Sequence, residues 1–314
     1  MRVRFIFNPR SGRPRRNAPI LPMLRSFVAS RALDADLVCT EGPGHATELA
    51  RDAVCAGCLR VVAVGGDGTV NEVAQALIHT PAALGLVPCG SGNGLALHLR
   101  LPKTIFGALE LAAGSSGRTA EIDTGTVNGL PFVNAMGLGL DADVARRFNR
   151  LASRGLPAYA RTALSAFLGR KTERCFVTHG GRREEVDILL IAVGNSDQYG
   201  NNARIAPHAR VDDGVLDLVL VRPVGLVAAA FLGARMFLGT IDRSARVRGM
   251  QGTRFLIERS AAGLIHTDGE THFAGAVVEV AVRPRSLRIV VPADCATVAH
   301  QPDRAARGFA LQLP

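Results

Sequence analysis

Residues 61–73 read VVAVGGDGTVNEV. Val61–Val64 is a short apolar run without polar alternation, the pattern of a strand covered on both faces. It runs into Gly65-Gly66-Asp67-Gly68-Thr69, and the spacing then predicts a helix over 70–77. Glycines let a backbone approach an anion closely, and the free N–H groups and dipole of a helix N-terminus favour negative charge. A carboxylate in that position would repel bare phosphate. Asp67 gains a purpose if Mg²⁺ lies between it and phosphates, or if it takes a proton from an attacking hydroxyl. Capping of the helix is the plainer reading.

Outward from this stretch, strand and helix signals alternate. Strands are predicted at 3–7, 35–39, 61–64 and 84–87, and helices at 22–31, 45–56 and 70–77. This rhythm predicts an α/β domain with a parallel sheet covered on both faces. Near residue 121 the texture changes to short runs at 122–127, 131–136, 187–193, 215–221, 255–258, 277–282 and 287–291. Asn128-Gly129, Asp213-Gly214 and Asp268-Gly269 separate many of them. That pattern predicts an antiparallel β-sandwich over 122–292, with a helical insertion across 146–170 and a helix near 225–238. The first domain is expected over 1–121, with the tail 293–314 available to pack back on it.

The 314 residues carry a net charge of +10, almost all from arginine, since Lys103 and Lys171 are the two lysines. Such a chain favours anionic partners. Between Arg146 and Arg183 ten basic residues face one acid, Glu173. Arg146, Arg150 and Arg154 are spaced for one helical face with Phe148, Leu151 and Leu156 interleaved, which suits an anionic membrane surface. The six cysteines are scattered, and Cys55-Ala-Gly-Cys58 lacks the second ligand pair of a zinc site. The segment 225–241 is the longest apolar stretch, interrupted by Arg235 and short of the roughly 20 residues that span a bilayer. With no apolar leader in MRVRFIFNP, the expectation is a cytoplasmic protein, peripheral at the inner membrane surface. Nucleic acid is disfavoured as a partner: no zinc spacing, RNP aromatics or helix-turn-helix signal is present.

Two further loops follow predicted strands. Asn8-Pro9-Arg10-Ser11-Gly12 is a turn with an arginine suited to phosphate, and LGLVPCGSGNGL at 84–95 ends in small residues. Loops at the carboxyl ends of adjacent parallel strands form the ligand sites of α/β folds. No GxxxxGK[ST] and no GxGxxG after a strand is present, which disfavours P-loop and dinucleotide-binding sites.

These motifs together resemble the diacylglycerol/sphingosine lipid kinase family, bacterial type. The resemblance rests on N-P-x-S-G, Thr40, Gly44-His45-Ala46, V-G-G-D-G-T-x-N-E and P-x-G-S-x-N in this order. Asp123-Thr124-Gly125, Phe132–Gly137, Gly139–Ala142, Ile205–Ala209, Asp212–Asp217 and Asp268-Gly269-Glu270 extend it to about residue 292. It implies an NAD kinase/diacylglycerol kinase-like fold and an ATP- and Mg²⁺-dependent kinase acting on the hydroxyl of a diacylglycerol-, sphingoid- or ceramide-type lipid. ATP would lie against Asn8, Pro9, Arg10, Ser11, Gly12, Thr40, Gly65, Gly66, Asp67, Gly68, Thr69, Val70, Asn71 and Ser91, with Glu72 also opening the helix. Glu270 matches the family's proton acceptor, and Asp67 is the second candidate. Asp213, with the main chain of Arg210 and Val215, resembles a structural Mg²⁺ site. Asp141 and Asp143 are candidates for gripping a lipid head group, and helix capping is the alternative for them. Gly94 stands where many diacylglycerol kinases carry Asp, which places GSGNGLA nearer the sphingosine/ceramide kinases. NAD kinase and phosphofructokinase relatives share GGDG[TS] but not the first and third loops. A non-catalytic lipid-binding protein is a further alternative, against which stand Asp67, Asp213 and Glu270, all present. Oligomeric state, a homodimer included, stays open.

Overall fold

The computed structural model describes residues 2–12, 20–114, 116–151, 156–169 and 172–299. Strands β1 (Val3–Phe7), β2 (Ala35–Cys39), β3 (Arg60–Gly65) and β4 (Ala83–Pro88) are parallel and lie in the order β2-β1-β3-β4. Alternate residues of β3 feed two cores, as a pleat requires. Val62 and Val64 pack under α1 (Ile20–Ser30) and α5 (Ile105–Ala113) through Leu24, Phe27, Leu109 and Ala112. Val61 and Ala63 pack under α2 (His45–Cys55) and α3 (Asp67–Leu77) through Ala50, Ala53, Val73 and Leu77. Covering on both faces is why Val61–Val64 of β3 and Leu84–Val87 of β4 read as unbroken apolar runs. The short helix α4 (Gly94–His98) follows β4.

Two long strands carry this sheet into the second half. β5 (Gly117–Val127) pairs antiparallel with β16 (Val277–Pro292), whose far end adds parallel to β4. Runs 277–282 and 287–291 are therefore one strand rather than two. They read as two because the register shifts between Arg283 and Leu287, where Arg285 takes φ 49°. Asp123, 1% exposed, fixes that irregularity by accepting from the N–H groups of Arg285 and Gly214, both at 2.7 Å.

The large sheet continues through β13 (Arg254–Arg259), β8 (Glu173–His179) and β9 (Arg182–Ile188), with β6 (Leu130–Phe132) beside β5. Facing it is an antiparallel sheet in the order β12-β11-β10-β7-β14-β15. Its strands are β7 (Ala135–Gly139), β10 (Leu190–Gly194), β11 (Leu216–Val221), β12 (Val247–Gly252), β14 (Gly263–Thr267) and β15 (Glu270–Ala274). Phe132, Phe255 and Val280 of one sheet meet Met136, Leu218 and Ile265 of the other in a single core, so this half is a β-sandwich. The predicted strand 187–193 is a corner: β9 ends at Ile188 in one sheet and β10 begins at Leu190 in the other. The predicted strand 131–136 likewise breaks at Val133-Asn134. Strands β8, β12, β14 and β15 and helices α4 and α5 have no counterpart in the sequence reading.

The insertion is two helices, α6 (Leu140–Asn149) and α7 (Leu156–Leu168), and α8 (Leu226–Leu238) follows later. The single basic face expected over 146–154 does not form. α6 ends at Asn149 with Arg150 as its C-cap, and Arg154 lies outside the described residues. Arg146 and Arg147 turn back to Asp143, with ion pairs of 2.7 and 2.8 Å. After β16, Cys295 and Val298 enter the core of the α2/α3 layer.

Candidate active site

Strand order β2-β1-β3-β4 reverses direction between β1 and β3, which opens a crevice at their carboxyl ends. The loops after β1, β3 and β4 all meet there, at one end of a cleft of about 1420 Å³ between the two halves. The Asn8 amide donates to Thr69 Oγ1 at 2.9 Å, and Ser11 Oγ accepts from Gly66 N–H at 3.1 Å. Gly66 and Gly90 touch backbone to backbone: a Cβ on Gly90 would lie 2.6 Å from Gly66 Cα. Only glycine fits that approach. The first turn of α3 then opens on the cleft at Gly66, Asp67, Gly68 and Thr69, with N–H groups that an intrahelical bond cannot satisfy.

Asp67 spans two loops. Its Oδ2 accepts from Asn93 N–H and its Oδ1 from Gly94 N–H, both at 2.7 Å. Burial pushes its carboxyl upward while these two donors pull it down. The glycine at position 94 has a packing cause: a Cβ there would lie 3.2 Å from Asn134 Nδ2 and 3.4 Å from the Gln198 carbonyl. Asn8, Arg10, Ser11, Gly12, Thr40 and Ser91 line the cleft as well. Gly65, Val70 and Asn71 do not. Gly65 lies under the Thr69 side chain, Val70 packs on the α2/α3 core, and Asn71 is 2% exposed and accepts from Gln75. Pro9 belongs to the turn without lining the cleft.

The β-sandwich supplies the opposite wall. β14 and β15 are joined by a two-residue turn with Asp268 at φ 49° and Gly269 at φ 89°, the tight hairpin geometry that Asp-Gly serves. The Asp268 carboxylate accepts from the N–H groups of Val133, Asn134 and Ala135 at 2.7, 2.8 and 2.9 Å. That clamp holds Glu270, the first residue of β15, on the cleft. Among the described residues Glu270 makes no side-chain hydrogen bond. Burial, then the charges of Glu72 and Asp268, raise its carboxyl above the ordinary range. Glu72 of α3 stands on the facing wall, its Oε2 accepting from Ala46 N–H at 3.0 Å.

Deeper in the sandwich half, Asp141 Oδ2 accepts from Tyr199 Oη at 2.5 Å and His266 Nε2 at 2.9 Å. Burial opposes charge on His266, but Asp141 and then Asp268 outweigh it and raise its pKa. The chain's two tyrosines, Tyr159 and Tyr199, both line the cleft, with Phe148 and Phe237. Of this wall the sequence reading named Asp141 but neither tyrosine nor Phe237. Asp143, one residue pair away on α6, is taken up by Arg146 and Arg147 and does not line the cleft.

Arg210, Asp213 and Val215 lie outside the cleft, in the turn that enters β11 from irregular chain rather than between two paired strands. The Asp213 carboxylate is exposed and accepts from Val215 N–H at 3.2 Å. Beside it burial, with a contribution from Asp213, raises the Asp217 carboxyl to about 6, and Asp217 Oδ2 is buried without a partner. The donor set is oxygen only, as a hard divalent cation requires. No cluster of three or more acidic, His or Cys side chains is built for a metal among the described residues, so main-chain carbonyls would have to complete the shell.

Residues 2–127 match the diacylglycerol kinase catalytic domain, and residues 134–291 match the YegS C-terminal NAD kinase beta sandwich-like domain. A Pseudomonas aeruginosa protein named "probable lipid kinase YegS-like" is 32% identical over 257 residues, covering 80% of this chain and 82% of its own. A Klebsiella pneumoniae protein of the same name is 28% identical, covering 89% and 93%. The fold is that of a Bacillus anthracis diacylglycerol kinase structure, with a TM-score of 0.71, 20% identity and coverage of 94% and 98%. The GGDGT crevice lies in the first matched domain and the DGE hairpin in the second, and the chain belongs to the YegS-like lipid kinases of the diacylglycerol kinase family.

Proposed function

We propose that the protein transfers the γ-phosphate of ATP to the hydroxyl of a membrane lipid, with Glu270 as proton acceptor. The observation that carries this reading is Glu270 itself. It is a half-buried carboxylate that makes no side-chain hydrogen bond among the described residues and faces the glycine-bearing loops across the cleft. The lipid oxygen attacks the γ-phosphorus as the bond to the β-phosphate oxygen breaks. ADP leaves, and the hydroxyl proton passes to Glu270. The α3 N-terminus and the loops at Asn8–Gly12 and Gly90–Asn93 hold the phosphates, and Arg10 adds a guanidinium. Asp67 acts as the bolt between the second and third loops, since both its oxygens accept backbone N–H. Mg²⁺, when bound, supplies charge neutralisation on the phosphates. Asp213 and the carbonyls of Arg210 and Val215 would hold a second, structural Mg²⁺.

Asp141 favours a neutral head group. Its Oδ2 already accepts from Tyr199 Oη and from His266, an imidazole that Asp141 pulls toward its charged form and that would repel a cationic amine beside it. Diacylglycerol and ceramide therefore fit better than sphingosine. A panel of diacylglycerol, ceramide, sphingosine and phosphatidylglycerol with γ-labelled ATP is expected to yield one labelled neutral-lipid product. No labelled lipid, or label transferred to NAD instead, would overturn the reading. The protein is expected to work at an anionic bilayer surface, since its net charge of +10 favours anionic partners and the proposed substrate lies in a membrane. Gly90→Ala should weaken ATP binding at least about tenfold, because the new methyl must push the two phosphate loops apart. Titration with a fluorescent ATP analogue measures it.

A further inference from the structure

The apolar stretch 225–241 has no role in the chemistry above, and the fold leaves most of it uncovered. α8 contains one charged residue, Arg235, and no acid. Val227, Phe231 and Leu238 are 71, 67 and 74% exposed, and their spacing puts them on one helical face. Leu232 alone is buried, in a core it shares with Phe167 of α7. α7, which sends Phe167 into that core, also exposes Leu164 and Leu168. Scattered exposed leucines are ordinary, but a continuous apolar face is a contact surface.

Two features say what it contacts. Phe237, in the last turn of α8, also lines the cleft, so the apolar face runs into the mouth of the candidate site. Arg222 precedes the helix, and Arg235, Arg243 and Arg246 lie in or after its last turn, against one acid, Asp242, while Arg248 is taken up by Glu184 at 2.7 Å. An apolar face rimmed by arginine matches an anionic bilayer interface. A two-fold pairing with a second copy would bring the same arginines together. The basic residues of α6 are less available, because Asp143 already pairs Arg146 and Arg147.

We propose that the exposed face of α8, with the end of α7, is the membrane-docking surface, and that lipid passes from it into the cleft beside Phe237. The second half rests on the lipid kinase reading; the docking does not. The test is flotation of the full-length protein with phosphatidylglycerol/phosphatidylcholine vesicles. Phe231→Asp with Leu238→Asp should lower the bound fraction at least about tenfold, and Arg243→Glu with Arg246→Glu should remove most of its salt dependence. Phosphorylation of a short-chain lipid dispersed in detergent should be unchanged in both. Vesicle binding equal to wild type in the apolar double variant overturns the proposal, as does its conversion of a dimer to a monomer with vesicle binding intact. So does loss of binding on Arg146→Glu with Arg150→Glu alone. Absence of labelled lipid in detergent with normal flotation would sink the kinase reading and leave the docking surface standing.

Discussion

Glu270→Gln is expected to lower kcat by about 10²–10⁴-fold while leaving ATP affinity and thermal stability close to wild type. The amide has the same shape and loses no hydrogen bond, because among the described residues the carboxylate makes none, so the effect isolates proton transfer. The pH profile gives an independent check. Glu270 must be ionised to accept a proton, and burial together with the charges of Glu72 and Asp268 raises its pKa above the usual value near 4.5. Activity should therefore fall as pH drops through that raised pKa and reach a plateau above it. The Gln variant should lose this acid limb. An unchanged kcat, or an acid limb that survives in the variant, would remove Glu270 from the reaction.

Asp268→Ala should have the largest effect on stability. It leaves three N–H groups, of Val133, Asn134 and Ala135, without an acceptor in a buried turn. At about 1–3 kcal/mol for each unsatisfied group, the loss should exceed ~3 kcal/mol even after partial relaxation. Asp268→Asn keeps an oxygen at the Oδ1 position, which serves Asn134 and Ala135, and tolerates the positive φ. It should recover more than half of the loss. Urea unfolding of the two variants measures this, and an Ala variant as stable as wild type would show that the clamp contributes nothing. Activity should fall in parallel, because the same turn places Glu270 two residues on.

The centre of the parallel sheet was legible because β3 and β4 are buried on both faces and fall within a residue of the expected bounds, while β1 and the half-exposed edge strand β2 fall on theirs. The sandwich was legible in class but not in detail. Strands such as β9 expose every other residue, and Arg and Glu there hide the period from a hydrophobicity reading. Breaks at Leu189 and at Val133-Asn134 are sheet changes, set by what packs on either side.

For the site, the sequence alone determined the three glycine-bearing loops and the Asp-Gly hairpin, because backbone conformations of that kind admit few residue types. Tertiary structure decided what the carboxylates do. Asp67 and Asp268 each stand before a glycine, as the exposed Asp213 does, yet each has its oxygens filled by N–H groups from segments 26 and 135 residues away. Asp141 is balanced by partners 58 and 125 residues distant. Glu270 stands without such a partner. Local sequence dictates backbone shape, but the hydrogen bonds that make a carboxylate a clamp or leave it available as a base come from chain segments that only folding brings together.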